Sequence, residues 1–239
     1  MTTDGTSPGP GWRLDELSTA GRENLDHAHV LRYDAKMDAG APEEVELLRQ
    51  LGLDAGSTVV DLGAGTGQLT RAVAPHCARV IAVDVSPVML DLLRHRVAEE
   101  SLDNVEVVAA GFLTYEHHGP PADFAYTRYA LHHLPDFWKA VALVRLHDVL
   151  RPGGVLRLSD VVYNFGPGEA ENRLEEWCAT GGDEIEGDWS RAELEEHARD
   201  EHSTFTWLLE AMVERSGFVV EDAAYSADGI DAQYVLRAV

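Results

Sequence analysis

The chain has 239 residues, with 42 acids against 19 bases, a formal net charge of −23 and 45% hydrophobic residues. So acidic a chain, with its bases scattered, would repel a phosphate backbone or an anionic bilayer, which excludes nucleic acid and membrane surfaces as partners. There is no apolar run of membrane-span length, Thr2-Thr3-Asp4-Gly5 is no signal peptide, and Cys77 and Cys178 make neither a disulfide framework nor a metal set. The expectation is a cytoplasmic protein acting on a small molecule.

Residues 1–11 contain Gly5, Ser7, Pro8, Gly9, Pro10 and Gly11 and read as a disordered tail before a single domain over 12–239. Residues 12–38 carry apolar positions at helical spacing. A helix is predicted over 42–51, with Val45, Leu48 and Leu51 on one face and Gly52 ending it. An apolar strand, Thr58 to Leu62, then runs into Gly63-Ala64-Gly65-Thr66-Gly67 and a helix.

Glycines at alternate positions leave no β-carbons at this turn, so the backbone bends sharply and can approach a ligand. The first amides of the following helix favour electron-rich groups. Together they predict a nucleotide-type pocket at the carboxyl end of a parallel strand. A dinucleotide fingerprint reads G-x-G-x-x-G around a pyrophosphate. Here the spacing is G-x-G-x-G, with Asp61 just ahead, where an acid suits a ligand ammonium. A second strand, 81–84, ends in Asp84, which suits a pair of ribose hydroxyls. The alternative is an ordinary tight strand-to-helix turn.

Ser86-Pro87 starts a helix to about residue 100, with Met89, Leu90, Leu93 and Val97 inside. Strands are predicted at 104–109, 123–127 and 155–162, with a helix over 136–150 and a turn at Arg151-Pro152-Gly153-Gly154. This alternation specifies a parallel sheet with helices on both faces. Residues 166–216 read as helical and acidic, interrupted by Gly181-Gly182 and Gly187, with a capping box at Ser190 and Glu193. Residues 217–224 and 233–239 form a closing strand pair.

The glycine loop, Asp84, the run Ala130-Leu131-His132-His133-Leu134-Pro135-Asp136 and Leu150-Arg151-Pro152-Gly153-Gly154 occur in one order. Over most of 40–162 the chain resembles the class I S-adenosylmethionine (SAM)-dependent methyltransferases, especially those acting on small molecules. The resemblance implies a Rossmann-like, doubly wound α/β sheet, mostly parallel with an antiparallel last strand. It also implies a lid over 12–40 and a helical insert over 166–216 covering the active site. Asp61, Gly63, Ala64, Gly65 and Gly67 are then expected around the methionine end of SAM, Asp84 on the ribose, and Val85 and Met89 on the adenine. Tyr33 either packs on the ligand or is a half-buried aromatic of a surface helix. One departure stands out: Gly111-Phe112 replaces the family's aspartate, which leaves adenine to backbone groups and to Phe112 as an apolar wall. Arg128 completes the expected cofactor set, holding a carboxylate or pairing with a nearby acid.

Methyl transfer demands alignment and exclusion of water, and a base only where the acceptor loses a proton. His132 and His133 are the catalytic candidates, as proton acceptor or as a structural pair beneath the cofactor. Asp160, Tyr163, Trp177 and His202 are candidate substrate residues. Phe205 and Trp207 either join an aromatic pocket or belong, like Trp177, to the insert's own core. No metal set is suggested by spacing. The expected reaction is methylation of a small-molecule acceptor, O-methylation first, by a monomer or homodimer. The alternatives are a SAM-binding protein with a regulatory or non-transfer role and a nicotinamide-dependent oxidoreductase. The glycine spacing and the lack of a Tyr-x-x-x-Lys set disfavour the latter.

Overall fold

The computed structural model describes residues 10–21, 30, 40–182 and 189–239. Most of the expected tail, much of the expected lid and Tyr33 lie outside the described residues.

Strands β1 (Thr58–Leu62), β2 (Arg79–Asp84), β3 (Val105–Ala109), β4 (Ala122–Arg128) and β5 (Leu150–Tyr163) pair in parallel in the order β3-β2-β1-β4-β5. The closing pair, β7 (Phe218–Tyr225) and β8 (Asp231–Ala238), adds β8 antiparallel to β5 and β7 outside it. The expected doubly wound sheet with an antiparallel last strand is therefore present. The chain reverses its direction of winding between β1 and β4. That switch point opens a crevice at the carboxyl ends of the strands.

Side chains alternate across the strands, so each strand feeds two cores. On one face Val59, Val80 and Phe124 pack with Val45 and Leu48 of α1 (Ala41–Gln50) and with Leu69 and Val73 of α2 (Gln68–Val73). On the other, Val60, Ile81 and Leu156 pack with Leu143 and Leu146 of α4 (Asp136–Val149). Between them in sequence, α3 (Pro87–Glu99) begins as expected, with Ser86 Oγ accepting from the Met89 N–H at 3.2 Å.

Two expectations need correcting. The Arg151–Gly154 turn lies within β5 as a bulge, since Ala122 pairs with Leu150 while Phe124 pairs with Val155. The insert also holds an unexpected strand: α5 (Ala170–Cys178) and α6 (Arg191–Asp200) are followed by a short β6 (Thr204–Phe205) before α7 (Thr206–Arg215). β6 pairs in parallel with the end of β5. That pairing depends on a tertiary neighbour and has no periodic signal in so short a segment. The Ser190–Glu193 capping box does form, because its partners lie within one turn.

Candidate active site

The three loop glycines have positive φ, 72° at Gly63, 53° at Gly65 and 81° at Gly67. Two are also fixed by packing: a Cβ would lie 2.4 Å from Ala130 Cβ at Gly63 and 2.2 Å from Leu93 Cδ1 at Gly67. A Cβ at Gly65 would meet Met89 Sδ at an ordinary 4.0 Å, and the Gly65 N–H donates to Asp84 Oδ2 at 2.8 Å. The other oxygen of Asp84 accepts from the Ser86 N–H, also at 2.8 Å. Loop and acid form one unit at the ends of β1 and β2.

Around this unit lies a cleft whose wall includes Gly63, Gly65, Asp84, Val85, Met89, Gly111, Phe112 and His133. A second, adjoining cavity is lined by Asp61, Gly63, Ala64, Gly65, Arg128 and Tyr126. Every expected cofactor residue that is described, apart from Gly67, thus lines one of two neighbouring hollows; Gly67 caps α2 beneath them. Arg128 stands over the ring of Tyr129 at 5.1 Å.

The polar groups of these hollows fit a ligand that brings donors. Asp61 is 2% exposed and accepts from Thr70 Oγ1 at 2.6 Å, yet burial pushes its carboxyl up to about 7. Burial also raises Asp84, against the pull of its backbone donors. The Tyr126 hydroxyl is buried with no hydrogen-bond partner among the described residues. Carboxylates desolvated in this way favour an ammonium or hydroxyls beside them.

Two residues of the cleft were not anticipated. Tyr129 lies between both hollows at φ 49°, a left-handed conformation that costs a bulky residue roughly 1–3 kcal/mol. Glu16 enters from the N-terminal segment, in a 3-10 turn (Glu16–Thr19) capped by Asp15. Its carboxylate accepts from the Leu113 N–H at 3.2 and 3.1 Å and from Thr114 Oγ1 at 3.3 Å. No local signal marks Glu16, because its partners lie 97 and 98 residues away.

His132 and His133 follow β4 in a short 3-10 turn (Leu131–His133), with His133 reaching the cleft wall. Asp160, buried within β5, holds this turn: its Oδ2 accepts from the N–H groups of Leu131 and His132 at 2.9 and 3.1 Å, and its Oδ1 pairs with His132 Nδ1. His132 Nε2 lies 2.9 Å from Glu201 Oε2, which also pairs with His197 Nδ1 at 2.6 Å. Burial alone would lower His132, but Asp160 and Glu201 override it and push it up to about 10. Asp160 and Glu201 are in turn held below the usual carboxylate range, the histidines outweighing burial. His133 is driven the other way, down to about 3, by burial and by charged His132.

His132, His133 and Glu201 place donor atoms within 4.8 Å of one another, a grouping that sequence spacing could not reveal. Both nitrogens of His132 are already engaged by carboxylates, so the cluster closes on itself as a proton-linked network.

Several substrate candidates are repositioned by the fold. Asp160 is spent on His132 and on backbone amides and faces neither hollow. His202 is exposed and acts through its main chain, its N–H donating to the His132 carbonyl at 2.9 Å and its carbonyl accepting from Lys139 Nζ. Those contacts deliver its neighbour, Glu201. Tyr163 and Trp177 pack in a small core with Val161 and Ile230. Tyr163 stacks on Phe165, and Trp177 meets the His197 ring at 5.3 Å. Trp207 is 56% exposed, stacked on Phe205.

Residues 59–154 match the model of a methyltransferase domain. An uncharacterized methyltransferase of Geobacillus kaustophilus is 28% identical over 174 residues, covering 72% of this chain and 74% of that protein. A carboxy-S-adenosyl-L-methionine synthase of Chromohalobacter salexigens is 30% identical over 166 residues, 62% of this chain. This chain covers 60% of that relative's length, and 61% of an uncharacterized methyltransferase of Oceanobacillus iheyensis. In fold, the chain is similar to a phosphoethanolamine N-methyltransferase of Haemonchus contortus, with a TM-score of 0.68 at 15% identity over 95% of this chain and 60% of that one. The glycine loop with Asp84 and these matches speak against the nicotinamide alternative. Over residues 59–154 the chain is thus similar to a methyltransferase domain, and it shares the fold of a methyltransferase over 95% of its length.

Proposed function

We propose that the chain transfers a methyl group from SAM to a small-molecule acceptor, O-methylation being the first expectation, and releases S-adenosylhomocysteine. The observation that supports it most is His133, which lines the same cleft as Gly63, Gly65, Asp84 and Met89. Asp61 and Tyr126 would hold the methionine end, Asp84 the ribose hydroxyls, and Val85, Met89 and Phe112 the base. When bound, the cofactor supplies a methyl group already activated by its sulfonium.

The protein's own part is alignment, exclusion of water and receipt of a proton. Positioning of this kind contributes on the order of 7–11 kcal/mol. His133, kept uncharged by burial and by His132, offers a lone pair to an acceptor hydroxyl. Its proton affinity is low, so it takes the proton only as bond formation makes the oxygen strongly acidic. That favours a phenol or another acidic hydroxyl over an aliphatic alcohol. The Glu201 carboxylate, 4.0 Å from His133 Nδ1, stabilises the imidazolium that results. Residues 12–40 and 166–216 act in this reading as lid and substrate cover.

The test is S-adenosylhomocysteine release over a panel of phenols, carboxylic acids and amines. Turnover with phenols alone supports O-methylation, and turnover confined to amines refutes it. The carboxy-S-adenosyl-L-methionine synthase relative favours a second reading, in which the cofactor serves a reaction other than methyl transfer. Binding of S-adenosylhomocysteine without its release from SAM, whatever the acceptor, would support that reading.

A further inference from the structure

One wall of the cleft, beyond Asp84, is formed by Val85, Met89, Ala110 and Phe112, and among these apolar groups stands one buried carboxylate, Glu16. Such a slot suits a flat ring held between apolar walls, with a hydrogen-bond donor at its rim. A carboxylate has about four lone-pair sites. The Leu113 N–H is shared by both oxygens, and the Thr114 hydroxyl and the Phe112 N–H also donate to the carboxylate, which leaves about one accepting site in a group that lines the cleft.

The local sequence is shaped around this group. A Cβ at Gly111 would lie 2.4 Å from the Glu16 carboxylate carbon and from one of its oxygens. Gly111 has no positive φ, so its backbone does not require glycine; the Glu16 carboxylate does. Arg145 fixes the same loop by donating to the Phe112 carbonyl at 3.0 Å and the Tyr115 carbonyl at 2.6 Å. The N-terminal segment that carries Glu16 is anchored again by Trp12, stacked on Trp138 at 6.3 Å.

We propose that Glu16 is the specificity residue for the adenine base of the cofactor: its carboxylate accepts a hydrogen bond from the exocyclic amine, from the position a side chain at residue 111 would otherwise occupy. This rests on the SAM reading of the cleft. It assigns to a side chain from the N-terminal segment a task that the sequence left to backbone groups.

The experiment is calorimetric titration of the full chain with S-adenosylhomocysteine and with S-inosylhomocysteine, in which an oxygen replaces the amine. The wild type is expected to prefer the adenosyl ligand by about tenfold or more, one charge-assisted hydrogen bond. Glu16→Gln keeps the shape, can still accept from Leu113 and offers a donor to the oxygen, so the preference should shrink or reverse. Retained binding of the inosyl ligand shows that this variant is folded. In Glu16→Ala the preference should also fall, and adding Gly111→Asp, which fills the vacated volume, should restore it. An unchanged preference in Glu16→Gln, or no preference in the wild type, overturns the role of Glu16 and leaves the cofactor reading standing. A wild type that binds neither ligand overturns both.

Discussion

Two groups of buried carboxylates lie along the same edge of the sheet, and their environments push them in opposite directions. Asp61, Asp84 and Glu16, in the hollows around the glycine loop, are desolvated beside hydroxyls and backbone amides, and all three are raised. Asp160, fully buried, and Glu201, partly buried, lie beyond β4 and share the charged His132, and both are lowered. Burial is common to both groups; the partner decides the sign. The first group is short of cations and donors, which a ligand with an ammonium, hydroxyls and an amine would supply. The second supplies its own and is a finished structural network with one uncharged ring, His133, turned to the cleft. One region is built to be completed and the other to hold still.

The largest expected effect breaks the finished network. Asp160→Ala leaves His132 without its main counter-charge and should cost about 3–5 kcal/mol in urea unfolding, the range for breaking a buried pair. A loss under 1 kcal/mol would mean the network contributes little. The same variant should change the pH profile of stability. Folded His132 keeps its proton to about pH 10, against 6.5 for a free imidazole, so its contribution is complete below pH 6.5 and fades as pH rises towards 10. Asp160 and Glu201 contribute above their ordinary values of 3.8 and 4.5 and lose that contribution on acidification. The network therefore stabilises most between pH 4.5 and 6.5, and the alkaline decline should flatten in Asp160→Ala.

Next in size, His133→Ala should lower kcat by roughly 10²–10⁴-fold while leaving S-adenosylhomocysteine affinity intact. Loss of affinity or of fold would instead make this ring part of the structural network. On the open side, Asp84→Ala should weaken S-adenosylhomocysteine by roughly 1.5–3 kcal/mol, and unchanged affinity removes the ribose assignment. The smallest effect is on pH. A ligand that returns Asp61 to its charged form releases protons, so affinity should rise with pH to about 7 and then level. Titrations in two buffers of different ionisation enthalpy read that release directly.

Much of the open side was legible because its parts are close in sequence. Gly63, Gly65, Gly67, Asp84, Met89 and Phe112 fall where a strand-turn-helix repeat must place them, and the Ser86 and Ser190 caps follow from partners a turn away. The finished side was half legible. His132 and His133 announce themselves, but Glu201 reaches them only because His202 bonds the His132 carbonyl and Lys139 holds the same segment. Asp160 drew notice for its place at a strand end, yet its neighbours, not its position, decide that it supports and does not face the cleft. Periodicity, glycine spacing and capping act over a few residues and determined the sheet and the glycine loop. Which carboxylate meets which partner was decided by tertiary structure alone. Glu16 with Leu113 and Glu201 with His132 are contacts across the chain, and burial sets their charge only once the elements have packed.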